Sequence, residues 1–428
     1  MEKREYPRLG ETVYQEKLAN GLTVLVLPRK GFSRKMAYFV AGTGALKREF
    51  VMDGEAYTAP MGVAHYLEHK LFDMPGRDIS AEFANLGASV NAFTSYDMTA
   101  YYFSCTENFD QCLALLLEMV AKPYFTEESV AKEQGIIGQE IDMNIDAPDS
   151  RMFENLAQAM YTLHPIREPI LGTRQTIAQI TPQVLYDCHR AFYRPENMLL
   201  CVIADTDPQM VVDMAQTMTA DMPQPEVTMT EHWKESLLCS QKKVTCQMEV
   251  SRPIFQLGFK CAPLPEGEAG VYAEYVGEFA AEVLFGESSA LYLRMYEEGL
   301  IDPSFGGGLD TLQGMAMLSA AGESEDPVKI KDAILAEARK IAKQGISEAE
   351  FMRLKRSAMG GKIRSLDSFD STCFRICSYF FSKFDYLRFP EIFEKVTAQD
   401  VQAFIRENIT EERCCLSVIE PKEEKDNE

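Results

Sequence analysis

Two histidines stand four residues apart in His65-Tyr66-Leu67-Glu68-His69. On a helix, positions i and i+4 share a face, so both imidazoles can reach one ion. Glu68 borders that face and Phe72 continues it, while Val63, Leu67 and Leu71 lie on other sides and can pack inward. Two neutral imidazoles suit a borderline cation such as Zn²⁺. A carboxylate beside such an ion can accept the proton of a water whose pKa the ion lowers to about 7, which is the chemistry of metal-assisted hydrolysis. With 5 histidines and 65 acids in 428 residues, this pattern is expected by chance about 0.01 times. The competing interpretation is two surface histidines with an ordinary acid between them.

A catalytic zinc needs a third protein ligand and an open position. His164 precedes Pro165, which marks a helix end, and His189 and His232 have no supporting context. Glu133 and Glu140 lie seven apart, two turns on one helical face, with Val130, Ile137 and Ile141 as an apolar stripe beside them. One carboxylate can ligate while the other orients a ligand histidine. Spacing alone favours a solvated acidic face.

The elements that must position these groups fall into two halves. Thr12 to Pro28 is two β-rich runs around Asn20-Gly21, a hairpin signal. Met36–Ala41 is a further strand, and a helical stretch from Pro60 to Phe72 carries the histidines. A short helix at 80–86, strands at 89–94 and 99–105, and helices at 108–120, 126–145, 150–162 and 181–192 follow, with Met198–Ile203 closing the half as a buried strand. The second half repeats this order: strands at 243–250 and 254–261, helices at 269–285 and 289–298, and strands at 303–309 and 314–320. Helices at 326–343, 347–364, 367–387 and 397–407 then lead to a closing strand at 413–419. His65–Phe72 can be laid over Glu278–Phe285; the Leu-Phe ending is kept, while His65, Glu68 and His69 meet Glu278, Ala281 and Glu282. This predicts an α+β chain of two related domains, each a mostly antiparallel sheet packed with helices. The expected division is 1–220 and 236–420, with a linker at 221–235 and a charged tail at 421–428.

Composition limits the partners. Lys+Arg 43 against Asp+Glu 65 gives a net charge of −22, which repels phosphate backbones and anionic lipid and disfavours nucleic acid and membrane. The N-terminus has no apolar signal core and no run approaches a membrane span, so the expected location is the cytoplasm. The 11 cysteines are dispersed without a C-x-x-C, which predicts reduced, buried thiols.

The H-x-x-E-H order, with Leu71-Phe72 trailing it, resembles the pitrilysin/insulinase family of inverzincin zinc metallopeptidases, on the branch of the mitochondrial processing peptidase. Phe83-Ala84-Asn85-Leu86-Gly87-Ala88-Ser89-Val90-Asn91-Ala92-Phe93-Thr94 is similar to the family's N-A-x-T segment, and Glu133 and Glu140 stand where it carries a downstream acid pair. His164-Pro165, Pro169 to Thr173 and Phe192 to Met198 resemble further landmarks, so the likeness covers nearly the whole chain. The resemblance implies Zn²⁺ held by His65, His69 and Glu140, Glu68 as general base, Glu133 behind the site, and an extended peptide lying against the strand of Asn91, Ala92, Phe93 and Thr94. For Asn91 and Thr94 the alternative is an ordinary strand start, and for His164 and Gly172 a structural role is favoured. Single-chain members carry an Arg/Tyr substrate-contacting pair in the second half; here Tyr296 and Asp302 occupy those places, and Arg294 has the wrong spacing. The implied activity is zinc-dependent endopeptidase action on peptides or unfolded segments. The chain would be the metal-bearing subunit of a heterodimer with a paralogue, or otherwise of a homodimer. The rival expectations are a non-catalytic metal-binding scaffold or chaperone subunit, and a structural or assembly partner with a residual motif.

Overall fold

Asn20-Gly21 turns the chain as its sequence demands, with Gly21 at φ 95°. The structure, a computed structural model, describes residues 1–230 and 233–422. His232 and the tail from 423 onward lie outside the described residues.

The chain opens with strands β1 (Glu2–Tyr6), β2 (Glu11–Lys17), β3 (Thr23–Pro28), β4 (Lys35–Ala41), β5 (Glu49–Met52) and β6 (Glu55–Thr58). Helix α1 (Val63–Lys70), the short strands β7 (Asp73–Met74) and β8 (Arg77–Asp78), and helix α2 (Ile79–Asn85) follow. Then come β9 (Ser89–Thr94), β10 (Thr99–Cys105), α3 (Phe109–Ala121), α4 (Glu127–Ile145) and α5 (Pro148–Met160). Helices α6 (Arg174–Ile177) and α7 (Pro182–Phe192), strand β11 (Met198–Ala204), α8 (Pro208–Met218) and β12 (Val227–Met229) end the first half. The second half runs β13 (Lys243–Met248), β14 (Ile254–Cys261), α9 (Glu268–Phe285), α10 (Ala290–Glu297), β15 (Gly306–Leu312) and β16 (Met315–Glu323). It closes with α11 (Pro327–Gln344), α12 (Glu348–Ser365), α13 (Phe369–Phe381), α14 (Phe389–Phe393), α15 (Ala398–Asn408) and β17 (Cys414–Pro421).

These elements form two units. The first comprises Met1–Ile141, Pro169–Glu231 and Lys362–Arg388. The second comprises Asp142–Glu168, His232–Gly361 and Phe389–Glu428. Each unit therefore takes one segment from the other half of the chain, 362–388 and 142–168, which a single break at a linker does not describe. Within the segment expected as linker, β12 pairs antiparallel with β5, Val227 opposite Met52, and Val227 and Met229 pack on the core.

The first unit's main sheet has the order β1-β2-β3-β11-β4-β10-β9, with β11 parallel to β3 and antiparallel to β4. The second unit's sheet has the order β13-β17-β14-β16-β15, with β17 parallel to β13 and antiparallel to β14. The last five strands of the first sheet match the second sheet position for position, so the predicted α+β duplication is present. In both, the strand after the second helix ends at the sheet edge.

Strand alternation gives the central strand β4 two different faces. Ala37, Phe39 and Ala41 join Leu200 and Val202 in one core cluster with α1 and α3. Tyr38 points the other way, donating from its hydroxyl to Asp370 Oδ1 of α13 at 2.5 Å. With both faces covered, β11 is buried along its whole length, which explains its unbroken apolar sequence. All eleven cysteines are free thiols, and Cys246 alone of them is not fully buried.

Candidate metal centre

Helix α1 starts at Val63 rather than Pro60 because Gly62 is left-handed, at φ 88°. A Cβ on Gly62 would lie 2.4 Å from Leu171 O, and one on Gly172, at φ 73°, would lie 2.6 Å from Met61 O. The two glycines let the Pro169–Thr173 loop and the start of α1 touch backbone to backbone, which accounts for that sequence landmark. Val63, Tyr66 and Leu67 bury the opposite side of the helix in the core. The Tyr66 hydroxyl donates to Val130 O of α4, and Gln134 Nε2 donates to Ile177 O at 3.0 Å. The first bond sets α4 against α1, and the second ties α4 to α6.

The consequence is a convergence of three polar side chains. His65 Nε2 lies 3.6 Å from Glu140 Oε1, and His69 Nε2 lies 3.6 Å from Glu140 Oε2. One ligand atom from each residue falls within 4.8 Å of the others. At 3.6 Å these atoms do not hydrogen-bond to one another. Donors around a tetrahedral zinc at about 2.0–2.1 Å stand about 3.3–3.4 Å apart; each imidazole is near that distance from a different Glu140 oxygen, and the two-imidazole, one-carboxylate chemistry suits that ion. The Glu140 side chain is 43% exposed, leaving an open side, whereas His65 and Glu68 are buried.

Glu133 lies behind His69: its Oε1 is 3.0 Å from His69 Nδ1, which directs His69 Nε2 toward Glu140. His65 has no such support; its Nδ1 is buried without a hydrogen-bond partner among the described residues. Glu68 sits in the same turn and accepts from Thr94 Oγ1 at 2.6 Å.

The electrostatics follow from these contacts. Burial raises the Glu68 carboxyl above its usual range, although the Thr94 bond and the two imidazoles work the other way. Burial opposes protonation of His69, but the Glu133 bond and the charges of Glu68, Glu133 and Glu140 outweigh it and raise the pKa. Burial of Glu133 is likewise outweighed by His69, Lys70 and Lys132, which hold it low. Glu140 is held low chiefly by His65 facing it.

Among the other residues singled out in the sequence, Asn91, Ala92, Phe93 and Thr94 lie together on β9, the free edge of the sheet. Asn91 is exposed, and its Oδ1 accepts from Ala92 N at 2.9 Å. Phe93 packs against Tyr102 and Phe374, with centroids 6.2 and 5.7 Å away, on the face opposite Thr94. His164 and His189 do not join the centre. His164 Nδ1 accepts from Ile166 N and its Nε2 faces Gln313 O at 2.8 Å. His189 is buried with Nε2 2.9 Å from Val120 O, and burial pushes its pKa down to about 4. In the second unit Arg294 pairs with Glu337 at 3.3 Å, Tyr296 stacks on Tyr292, and Asp302 accepts from Ser304. Sequence reasoning does not single out Lys70, a fully buried lysine that donates to Asp73 and helps hold Glu133 low. The signal was a cation directly after His69 with an acid three residues on.

Comparison with known proteins bears on the whole chain. Residues 51–174 match the family model for insulinase (peptidase family M16), and 179–358 match that for the peptidase M16 inactive domain. A Bacillus subtilis protein described as the uncharacterized zinc protease YmfH is 35% identical over 424 residues, 98% of this chain and 99% of that protein. The crystal structure of an M16-like peptidase from Alicyclobacillus acidocaldarius has a TM-score of 0.92 at 30% identity, covering 96% of this chain and 99% of that one. A protease from Helicobacter pylori shares the fold, with a TM-score of 0.83 at 18% identity over 96% of this chain and 99% of its own. Matched along nearly its full length by a zinc protease relative at this identity, the chain belongs to the insulinase (M16) family of peptidases.

Proposed function

We propose that this chain is a zinc-dependent endopeptidase acting on peptides or unfolded segments. The observation that carries the reading is the convergence of His65 Nε2, His69 Nε2 and Glu140 beside the buried Glu68 carboxylate. A zinc ion held by His65, His69 and Glu140 would polarise a scissile carbonyl and acidify a water. Glu68 takes the proton of the attacking water and returns it to the leaving amine. Glu133 fixes the His69 tautomer, leaving Nε2 as the free donor. A peptide aligns as an added strand on the edge of β9, competing with Asn91 Oδ1 for the Ala92 N–H. Backbone bonds of that kind give affinity without demanding one sequence, and the net charge of −22 favours basic peptides.

The test is Glu68→Gln. Peptide cleavage should fall about 10²–10⁴-fold while the zinc content of the pure protein stays at the wild-type level. Equal cleavage by the variant and the wild type would overturn the reading.

The same reading makes this chain the metal-bearing subunit of a cytoplasmic two-chain peptidase. Its support is that Arg294, Tyr296 and Asp302 are engaged with neighbours of their own unit. The pure chain should cleave peptides poorly and gain activity with a co-expressed paralogue; full activity alone would refute the shared site.

A further inference from the structure

Thr94 was grouped above with Asn91, Ala92 and Phe93 as a substrate contact, yet strand alternation divides the four. Phe93 faces Tyr102 and Phe374, whereas Thr94 turns to the opposite face and meets α1. There its hydroxyl donates to Glu68 Oε2 at 2.6 Å. A hydroxyl has one proton, so this bond leaves the Thr94 side chain nothing to donate to a peptide carbonyl. A short bond to a carboxylate is among the stronger ones a neutral donor makes.

Glu68 needs such a partner. It is 8% exposed, and among the described residues Thr94 is the one side chain that donates a hydrogen bond to its carboxylate. Its neighbours in the turn, His65 and His69, are directed at Glu140. The terminal torsion of a glutamate is broad, so burial alone does not fix the plane of its carboxylate. A donor placed on Oε2 by the strand leaves Oε1 as the oxygen free to take a proton.

We infer that Thr94 is a positioning residue: the final side chain of the edge strand locks the Glu68 carboxylate so that one defined oxygen serves as base. The inference rests on the peptidase reading above and couples the strand proposed to bind the peptide to the group proposed to perform the chemistry.

The experiment compares Thr94→Val, which keeps shape without the hydroxyl, with Thr94→Ser, which keeps the hydroxyl. Losing a bond to a charged group predicts a kcat about 10–100-fold lower in Thr94→Val. KM should stay within about twofold and zinc content unchanged, and Thr94→Ser should recover most of the loss. A raised KM with unchanged kcat would return Thr94 to substrate binding, and equal impairment of the two variants would make its role one of packing; either result overturns the inference. A crystal structure of Thr94→Val gives a readout independent of activity. The Glu68 carboxylate should turn to a new orientation or occupy more than one, and a carboxylate fixed as in the wild type would refute the lock even if the chain proved inactive on peptides. Failure of the peptidase reading would instead be seen in Glu68→Gln, with Thr94→Val still judged by its structure.

Discussion

The two units share a sheet order and differ in what their equivalent helices carry. In the first, α1 and α4 bring His65, Glu68, His69, Glu133 and Glu140 together. In the second, laying Glu278–Phe285 over His65–Phe72 sets Glu278, Ala281 and Glu282 against the α1 triplet. Laying α12 on α4 from their first residues puts Leu354 at the position of Glu133 and Gly361 at that of Glu140. The Glu282 carboxyl is raised by burial and by the nearby charges of Glu278 and Glu287. Acids that repel one another have replaced imidazoles that converge with an acid, and the sheet beside them is built the same way. The scaffold therefore does not depend on the chemistry it can host.

The most severe test of that separation converts one unit into the likeness of the other. A variant with His65→Glu, Glu68→Ala, His69→Glu and Glu140→Gly should lose its zinc and all peptide cleavage while keeping its far-ultraviolet circular dichroism; an unfolded product would tie site and scaffold together. Next in size, Glu133→Gln should weaken zinc about 10–100-fold, read by competition with a chromogenic chelator. An unchanged affinity would show that His69 needs no support from behind.

The pH dependence is smaller and has a definite sign. A raised pKa for metal-free His69 means that protons compete for its ring more strongly than for an ordinary histidine, so zinc affinity should weaken as pH falls. In metal-free protein the linkage runs the other way. The pairing of His69 with Glu133 stabilises fully below the unfolded-state value and fades as pH rises through the raised one. The melting temperature of the chelated wild type, measured against chelated His69→Gln, should therefore fall across that window. A flat difference would mean that the pair is uncoupled. Smallest of all, Gly62→Ala should cost about 1–3 kcal/mol in denaturant unfolding, because it forces a left-handed alanine against Leu171 O.

Much of this was legible in the sequence. Runs of β-forming residues locate β2, β3, β9 and β10, the Asn-Gly turn joins the first two, and the i, i+4 histidines locate the centre, because these signals are local. The acid pair on α4 was ambiguous from spacing, since a solvated face has the same pattern; its bond to His69 exists only once Tyr66 meets Val130. Strands of three or four residues such as β5, β6 and β12 are too short for periodicity to register. The helix expected over 367–387 ends at Phe381, and Lys383 then turns left-handed, at φ 60°. The exchange of 142–168 and 362–388 leaves no local trace, because an amphipathic helix does not state which sheet it covers.

That exchange has a consequence for synthesis. Tyr38, in the middle of β4, finds its partner Asp370 only when α13 has been made. A nascent chain that has reached Glu231 lacks the last segment of its first unit until Arg388 has been translated, a wait of roughly 8–30 s at typical elongation rates. During that interval the uncovered face of an otherwise finished sheet is available to chaperones and to neighbouring nascent chains. A gene truncated at the midpoint should accordingly yield an insoluble product rather than a free-standing half.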